Sequence, residues 1–424
     1  MQDGRSGRWL IAVAGTAMQV ALGAVYAWSV FRKPLAVALG ASVTEVNLVF
    51  TTTIMMLGIG AFVGGLVMMR IGPRAIGITA GILYGLGTYL SGYAGGNLPL
   101  LYLTHGVVAG FGIGLGYIVP IATLVKWFPG KRGVITGVAV MGFGCGALVF
   151  GPLARALIAA FGPFRTFQIL GLVFYVVVIG SAFVLRDPPP SFQLTQVSNR
   201  RALGAALRTW QWYALWVLLF LNVTAGISII AEAAPMAQEL GGATERQAAA
   251  LVGTIAIFNG AGRFVWAALS DVIGRRAVFV LLFVVQAGLF AVLPYAWSYD
   301  VFLAMACLSL LCYGGGFGTM PAFVADYFGS PNVGKIYGLM LTAWGAGAVL
   351  GPVIISRVRD ATGQYGDGLH VIAGIMLVSA VVPLLVRRPR PRRAGPTVSA
   401  RLGSRRHVAF AARTPVAQRD RHYG

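Results

Sequence analysis

Acidic residues, histidine and cysteine are all scarce in this chain of 424 residues, and each shortage removes a class of function. Twelve Asp and Glu stand against 33 Lys and Arg, and charged residues make up only 11% of the sequence. A soluble domain covers its surface with roughly a quarter of its residues charged, so a water-soluble fold of this size is excluded. The four histidines and three cysteines form no His-Glu-x-x-His and no Cys-x-x-Cys. No defensible Ser/His/Asp set exists either, so an enzyme is not expected, and no metal or cofactor is implied. Cys145, Cys307 and Cys312 sit inside apolar runs, where they behave as small hydrophobes rather than as a disulfide framework.

What the chain has is apolar length. Fifty-seven per cent of its residues are hydrophobic and the mean hydropathy is +0.78. A bilayer core of about 30 Å needs about 20 apolar residues per helix. Blocks of that size fall at 9–31, 46–69, 75–95, 98–125, 133–160 and 166–185, then at 212–237, 247–270, 277–297, 300–325, 334–356 and 368–386. The expected fold is therefore an all-α membrane protein with twelve spans. The first block has no small-residue cleavage site behind it and is read as a retained helix.

The net charge of +21 invites a nucleic-acid reading, and its distribution argues against one. With the N-terminus placed in the cytoplasm, 25 of the 33 Lys and Arg fall in cytoplasmic segments, seven in outer loops, and Arg263 inside a span. Setting aside the 11 arginines from Arg387 onward still leaves 14 against seven. That is the positive-inside pattern of a multi-pass inner-membrane protein with both termini cytoplasmic. The tail, 387–424, carries one acid, Asp420, and is expected to be a disordered basic segment lying on anionic lipid.

The chain repeats itself at an offset of about 200 residues. Gly65-Leu-Val-Met-Met69-Arg70-Ile-Gly72-Pro-Arg74 recurs as Ala267-Ala-Leu-Ser-Asp271-Val-Ile-Gly274-Arg275-Arg276. Gly114-Leu-Gly116-Tyr117-Ile-Val-Pro120 recurs as Gly316-Phe-Gly318-Thr-Met-Pro321, and Gly133-Val-Ile-Thr-Gly137 as Gly334-Lys-Ile-Tyr-Gly338. Two pseudo-symmetric bundles of six helices follow, at 1–185 and 212–386. A polar linker, 186–211, opens with three prolines that end the sixth helix, and Arg200–Trp210 could form a short interfacial helix within it.

In the two loop motifs an acid at a helix end, with arginines a turn on, can form ion pairs that latch neighbouring helices. Arg70, Arg74, Asp271, Arg275 and Arg276 are the candidates. Met69 stands where the second copy has Asp271, so only the C-terminal latch can be acid-based. The 58 glycines cluster at spacings of four, as in Gly60/Gly64 and Gly142/Gly146. Such faces let helices pack closely, and they also suit helices that must slide; Gly142 and Gly146 are expected to serve a moving fifth helix.

Arg263, in Asn259-Gly-Ala-Gly-Arg263-Phe-Val-Trp266, lies well inside the eighth span. An arginine near a helix centre costs about 2.5–3.5 kcal/mol on insertion scales. Pairing with a buried acid would be the structural explanation, yet Glu232, Asp271 and Asp326 all sit near helix ends. A fixed cation that cannot lose its proton suits a carboxylate ligand. Tyr26, Trp28, Tyr117, Tyr313, Phe317 and Trp344 are candidates to line the same cavity. His105, alone in the outer part of the fourth span, reads as a helix-packing donor rather than a proton relay.

Longer stretches add a resemblance. Gly23-Ala-Val-Tyr26-Ala-Trp28-Ser-Val-Phe31, Lys126-Trp127-Phe128-Pro129-Gly130-Lys131-Arg132-Gly133, Asn259 to Arg263, Tyr313 to Gly329, Asn332 to Gly338 and Leu341-Thr-Ala-Trp344-Gly345 resemble the oxalate/formate antiporter family of the major facilitator superfamily. The likeness covers about 9–386. It implies the major facilitator fold, a central cavity, alternating access, and small organic anions such as oxalate, formate, pyruvate or lactate as cargo. It also implies a plasma-membrane antiporter, expected as a monomer. In oxalate exchangers an eighth-helix arginine and an eleventh-helix lysine hold the two carboxylates; Arg263 matches the first, while Trp344 stands at the second. That departure favours a monocarboxylate. A proton-coupled carrier, an exporter and a non-transporting sensor are the competing readings. An exporter of cations would need a membrane-embedded acid, and none is evident.

The charge sorting makes a topological prediction. In a background lacking the three native cysteines, cysteines at Gly96 and Tyr365 should react with impermeant thiol reagents from outside, and one at Ser198 only from the cytoplasm. Labelling of position 198 from outside would reverse the orientation.

Overall fold

The computed structural model describes residues 3–189 and 202–388. Among these, ten continuous helices are long and apolar enough to cross a membrane. Two of them, Val43–Ser91 and Arg132–Val184, run 49 and 53 residues. At 1.5 Å per residue each is about 75 Å long, more than twice a hydrocarbon core of about 30 Å. Both bend at a glycine whose backbone leaves the helical region: Gly72 at φ 81°, ψ 168° and Gly162 at φ 74°, ψ 170°. Residues with a Cβ rarely adopt that conformation, and a proline follows each glycine. Dividing the two helices at these bends gives twelve spans, as the apolar blocks predict.

The spans are α1 (Gly7–Leu39), α2 and α3 (43–71 and 73–91), α4 (Leu98–Trp127), α5 and α6 (132–161 and 163–184), α7 (Trp210–Gly241), α8 (Glu245–Ile273), α9 (Arg275–Tyr295), α10 (Tyr299–Phe328), α11 (Ser330–Thr362) and α12 (Tyr365–Leu385). Several outrun their apolar blocks. Helix α1 continues past residue 31, with Pro34 inside it, to a left-handed Gly40. With an even number of crossings both ends of the bundle's chain emerge on one face, called here the termini face. The linker is helical at Ala202–Leu207; 190–201 and the tail from 389 lie outside the described residues.

The repeat extends to the helix ends. Ser42 and Glu45 form a capping box at the start of α2, and Thr244 and Gln247 form its counterpart at α8. Gly40 and Gly242 end α1 and α7 in the same left-handed conformation. Gly274, the counterpart of Gly72, makes the same kind of turn at φ 91°.

Glycines bring the two halves together near the termini face. On α5, a Cβ at Gly133 would collide with the Ala267 carbonyl of α8, one at Gly137 would come within 2.9 Å of the Arg263 carbonyl, and one at Gly144 within 2.7 Å of Gly260. Gly65 of α2 meets the backbone of Gly334 on α11 in the same way. Two turns further along, Gly151 of α5 and Gly253 of α8 face open space. Along α5 and α8 these contacts stop near mid-membrane.

The glycine pair singled out for sliding faces elsewhere. Gly142 packs on Thr16 and Gln19, and Gly146 on Gly23 and Ala24, all within α1 of the same half. Residues two apart on a helix point to opposite sides, so Gly144, not Gly142 or Gly146, meets the other half. Gly146→Leu should therefore lose folded protein and transport in parallel. Gly144→Ala should keep folded yield while slowing exchange. Yield by size-exclusion chromatography and exchange in proteoliposomes check both; a slow but well-folded Gly146→Leu would restore the sliding role of that face.

Candidate functional site

Arg263 is fully buried near the middle of α8. It reaches across into the first half: Nη1 donates to the Val140 carbonyl of α5 at 3.3 Å, and Nη2 to the Tyr26 hydroxyl of α1 at 3.3 Å. Nε donates to Asn259 Oδ1 at 3.5 Å. These bonds are at the long end of the usual range. The guanidinium lies 5.0 Å from the ring centre of Phe317, 5.5 Å from Phe143 and 6.0 Å from Tyr26, within cation–π reach.

Among the described residues Arg263 has no ion pair. The acids that could have neutralised it are engaged elsewhere: Glu232 accepts from the Tyr365 hydroxyl at 2.9 Å, and Asp271 and Asp326 belong to the network described below. A charge placed in a low-dielectric interior without a counter-charge is costly, and the aromatic faces and neutral dipoles offset only part of that cost.

Trp344 packs into the aromatic cluster around Arg263, called here the chamber. Its ring sits 4.8 Å from Phe317, 6.1 Å from Tyr117 and Phe143, and 6.3 Å from Tyr26. Tyr313 packs edge-on against Phe317 at 5.3 Å. The hydroxyls of Tyr117, Tyr313 and Tyr337 are buried and turn toward one another and toward Tyr26. Tyr117 and Tyr337 are electrostatic neighbours, as are Tyr313 and Tyr26. Of these aromatic residues only Tyr26 is partly exposed. It lies on a short 3-10 stretch, Gly23–Ala27, that interrupts α1 where Gly23 packs against the Phe143 backbone. The result is a guanidinium, a group of neighbouring tyrosine hydroxyls and a wall of aromatic faces, with Arg263 as the only cation among the described residues there.

The structure thus brings together Arg263, Tyr26, Tyr117, Tyr313, Phe317 and Trp344, and adds Phe143 and Tyr337. Trp28 is not among them. It stacks on His105 at 4.9 Å and on Phe31, beside Phe167, around a separate small cavity inside the first half. Tyr337 had one sequence signal: it occupies, in Gly334-Lys-Ile-Tyr-Gly338, the place of Thr136 in the first-half repeat.

A second constellation joins the halves at the termini face. Asp271, at the end of α8, accepts from the amides of Gly133 and Val134 at 3.0 and 2.8 Å, where the open first turn of α5 favours an anion. Arg275 bridges Asp271 at 2.6 Å and Asp326 of α10 at 3.1 Å, and Arg132 of α5 pairs with Asp326 at 2.9 Å. Sequence reasoning identified Asp271 and Arg275 but missed Arg132 and Asp326. Arg276 instead caps α12, donating to the carbonyls of Pro383 and Leu384. Arg70 and Arg74 are exposed and make no ion pair among the described residues.

Removing Asp326 leaves two arginines without their shared acid, so Asp326→Ala should loosen this face. Thr136, buried between α5 and the Gly318 carbonyl of α10, reports on it. A cysteine at position 136 should react with a small thiol reagent about tenfold faster in the Asp326→Ala background, the change expected for 1.4 kcal/mol. An unchanged rate would mean that these ion pairs do not hold the face closed.

Comparison with known proteins agrees with this architecture. The family model of the Major Facilitator Superfamily matches residues 9–241 and 215–419. An uncharacterised major-facilitator-type transporter of Escherichia coli K12, YhjX, is 32% identical over 347 residues, covering 81% of this chain and 86% of that one. The oxalate:formate antiporter of Oxalobacter formigenes is 29% identical over 355 residues, covering 81% and 83%. Among solved structures, the fucose transporter FucP in its outward conformation superposes with a TM-score of 0.72 at 16% identity, covering 89% of this chain and all of that one. At that identity the likeness speaks for the fold alone.

Proposed function

The chain belongs to the major facilitator superfamily, and we propose that within it this protein is a carrier for small organic monocarboxylates. The carrying observation is the buried Arg263, which has no acidic partner among the described residues and is ringed by tyrosine hydroxyls and aromatic faces. A carboxylate entering beside Tyr26 would supply the missing counter-charge and take two parallel N–H bonds from the guanidinium. Alternating access is the proposed mechanism. The Asp271, Arg275, Asp326 and Arg132 network would lock the termini face while the chamber opens on the other side, and would break when the halves rock. The positive-inside charge pattern supports placing that face in the cytoplasm, in a plasma membrane. The oxalate:formate antiport of one relative supports exchange as the mode.

One fixed cation balances one negative charge. A dianion would bury a second charge without a partner, at a cost of several kcal/mol. Trp344 occupies the place where a second cation would be needed and presents an apolar ring instead. Formate, pyruvate and lactate should therefore compete for one labelled substrate at least about tenfold better than oxalate. Arg263→Ala should nearly abolish exchange, and Trp344→Lys should move the preference toward oxalate. Oxalate outcompeting the monocarboxylates in wild type would overturn the single-charge reading. Normal exchange by Arg263→Ala would overturn the site.

A further inference from the structure

The first helix of each half carries a side-chain amide buried in the apolar interior, Gln19 on α1 and Asn222 on α7. Gln19 of α1 donates from Nε2 to the main-chain carbonyl of Tyr117 on α4 at 3.0 Å. Asn222 of α7 donates from Nδ2 to the carbonyl of Tyr313 on α10 at 2.9 Å. Both are wholly inaccessible to solvent. In hydrocarbon a polar group finds no water to bond, so each amide is tied to the one carbonyl it reaches. Both carbonyls belong to tyrosines of the Arg263 chamber.

The correspondence goes further. Gln19 is followed one turn later by Gly23, and Asn222 by Gly226. A Cβ at Gly23 would collide with the backbone of Phe143, and one at Gly226 with the ring of Tyr313, again chamber residues. The third helix of each half completes the arrangement. On α3, Tyr84 donates to the Ala21 carbonyl of α1 at 3.2 Å; on α9, Gln286 donates to Asn222 Oδ1 at 3.1 Å. The first helix of each half is thus tied to the third and fourth, through the Ala21 carbonyl and Gln19 in the first half and through Asn222 alone in the second.

We propose that Gln19 and Asn222 are positioning residues, one in each half: interhelical amide locks that set Tyr117 and Tyr313 around Arg263. They act through those tyrosines and do not touch the substrate. The assignment rests on reading the chamber as the anion site, but the locks have a signature that needs no substrate. With 3-fluorotyrosine placed singly at position 117 or 313, each should give one narrow fluorine resonance in the otherwise wild-type protein. Gln19→Met should broaden or split the signal from position 117 and spare that from 313, and Asn222→Leu should do the reverse. Gln19→Asn, which keeps the amide but shortens its reach, should act as Gln19→Met does and serves if the latter fails to fold. Disturbance of both signals by either variant, or of neither, would overturn the proposal.

Binding gives the second arm. Gln19→Met should raise the lactate dissociation constant about tenfold when Tyr117 is present, and should add nothing in a Tyr117→Phe background, since residues acting as a unit are non-additive. Additive losses would overturn action through Tyr117. Absence of any carboxylate binding by wild type would sink the transport reading, while the fluorine pattern would still decide this one.

Discussion

A guanidinium held in mid-membrane without an acid is the constraint to which the other features answer. Its insertion is opposed by about 2.5–3.5 kcal/mol, and it cannot escape by deprotonation. The protein meets it with the Val140 carbonyl, the Tyr26 hydroxyl and the faces of Phe143 and Phe317, all neutral. A buried aspartate would stabilise the same arginine more strongly, but it would fill the place a substrate anion is proposed to take. Under the proposed function, the lack of a counter-charge among the described residues is what suits Arg263 to bind an anion rather than to serve structure alone.

Arg263 also sits where the two halves meet. Its backbone carbonyl is packed against Gly137 of α5 and Gly318 of α10, and its side chain bonds to α1 and α5. In the proposed cycle, a ligand that draws the guanidinium away from Val140 and Tyr26 removes contacts between the halves. The Asp271 and Asp326 network, about two turns along α8 toward the termini face, is a further set of polar contacts between the halves. Binding and closure are thus physically adjacent along one helix, and no long-range relay is needed to connect them.

Much of this was legible in the sequence, for reasons that differ by residue. The twelve spans follow from apolar length alone, and the repeated Gly72 and Gly274 mark the same left-handed turn in both halves. Arg263 stands out because it is the Lys or Arg that lies farthest from either end of its apolar block. Arg132 and Asp326 did not stand out, because they look like ordinary loop charges and their meeting joins residues 194 positions apart. Trp28 is expected beside Tyr26 as one of several aromatics on glycine-rich helices, yet two positions along a helix turn the side chain to the opposite side. Gly142 and Gly146 pack on α1 for a related reason: a smooth face says that something packs closely, but not which helix does so.

The central claim is that a carboxylate completes the coordination of Arg263. A structure determined with lactate or pyruvate bound tests it most directly. The account predicts one carboxylate in bidentate contact with the guanidinium, flanked by Tyr26 and the ring of Trp344, with no acidic side chain of the protein brought into contact. A carboxylate bound away from Arg263, or an arginine paired with Asp271, Asp326 or Glu232 in the substrate-free protein, would contradict it.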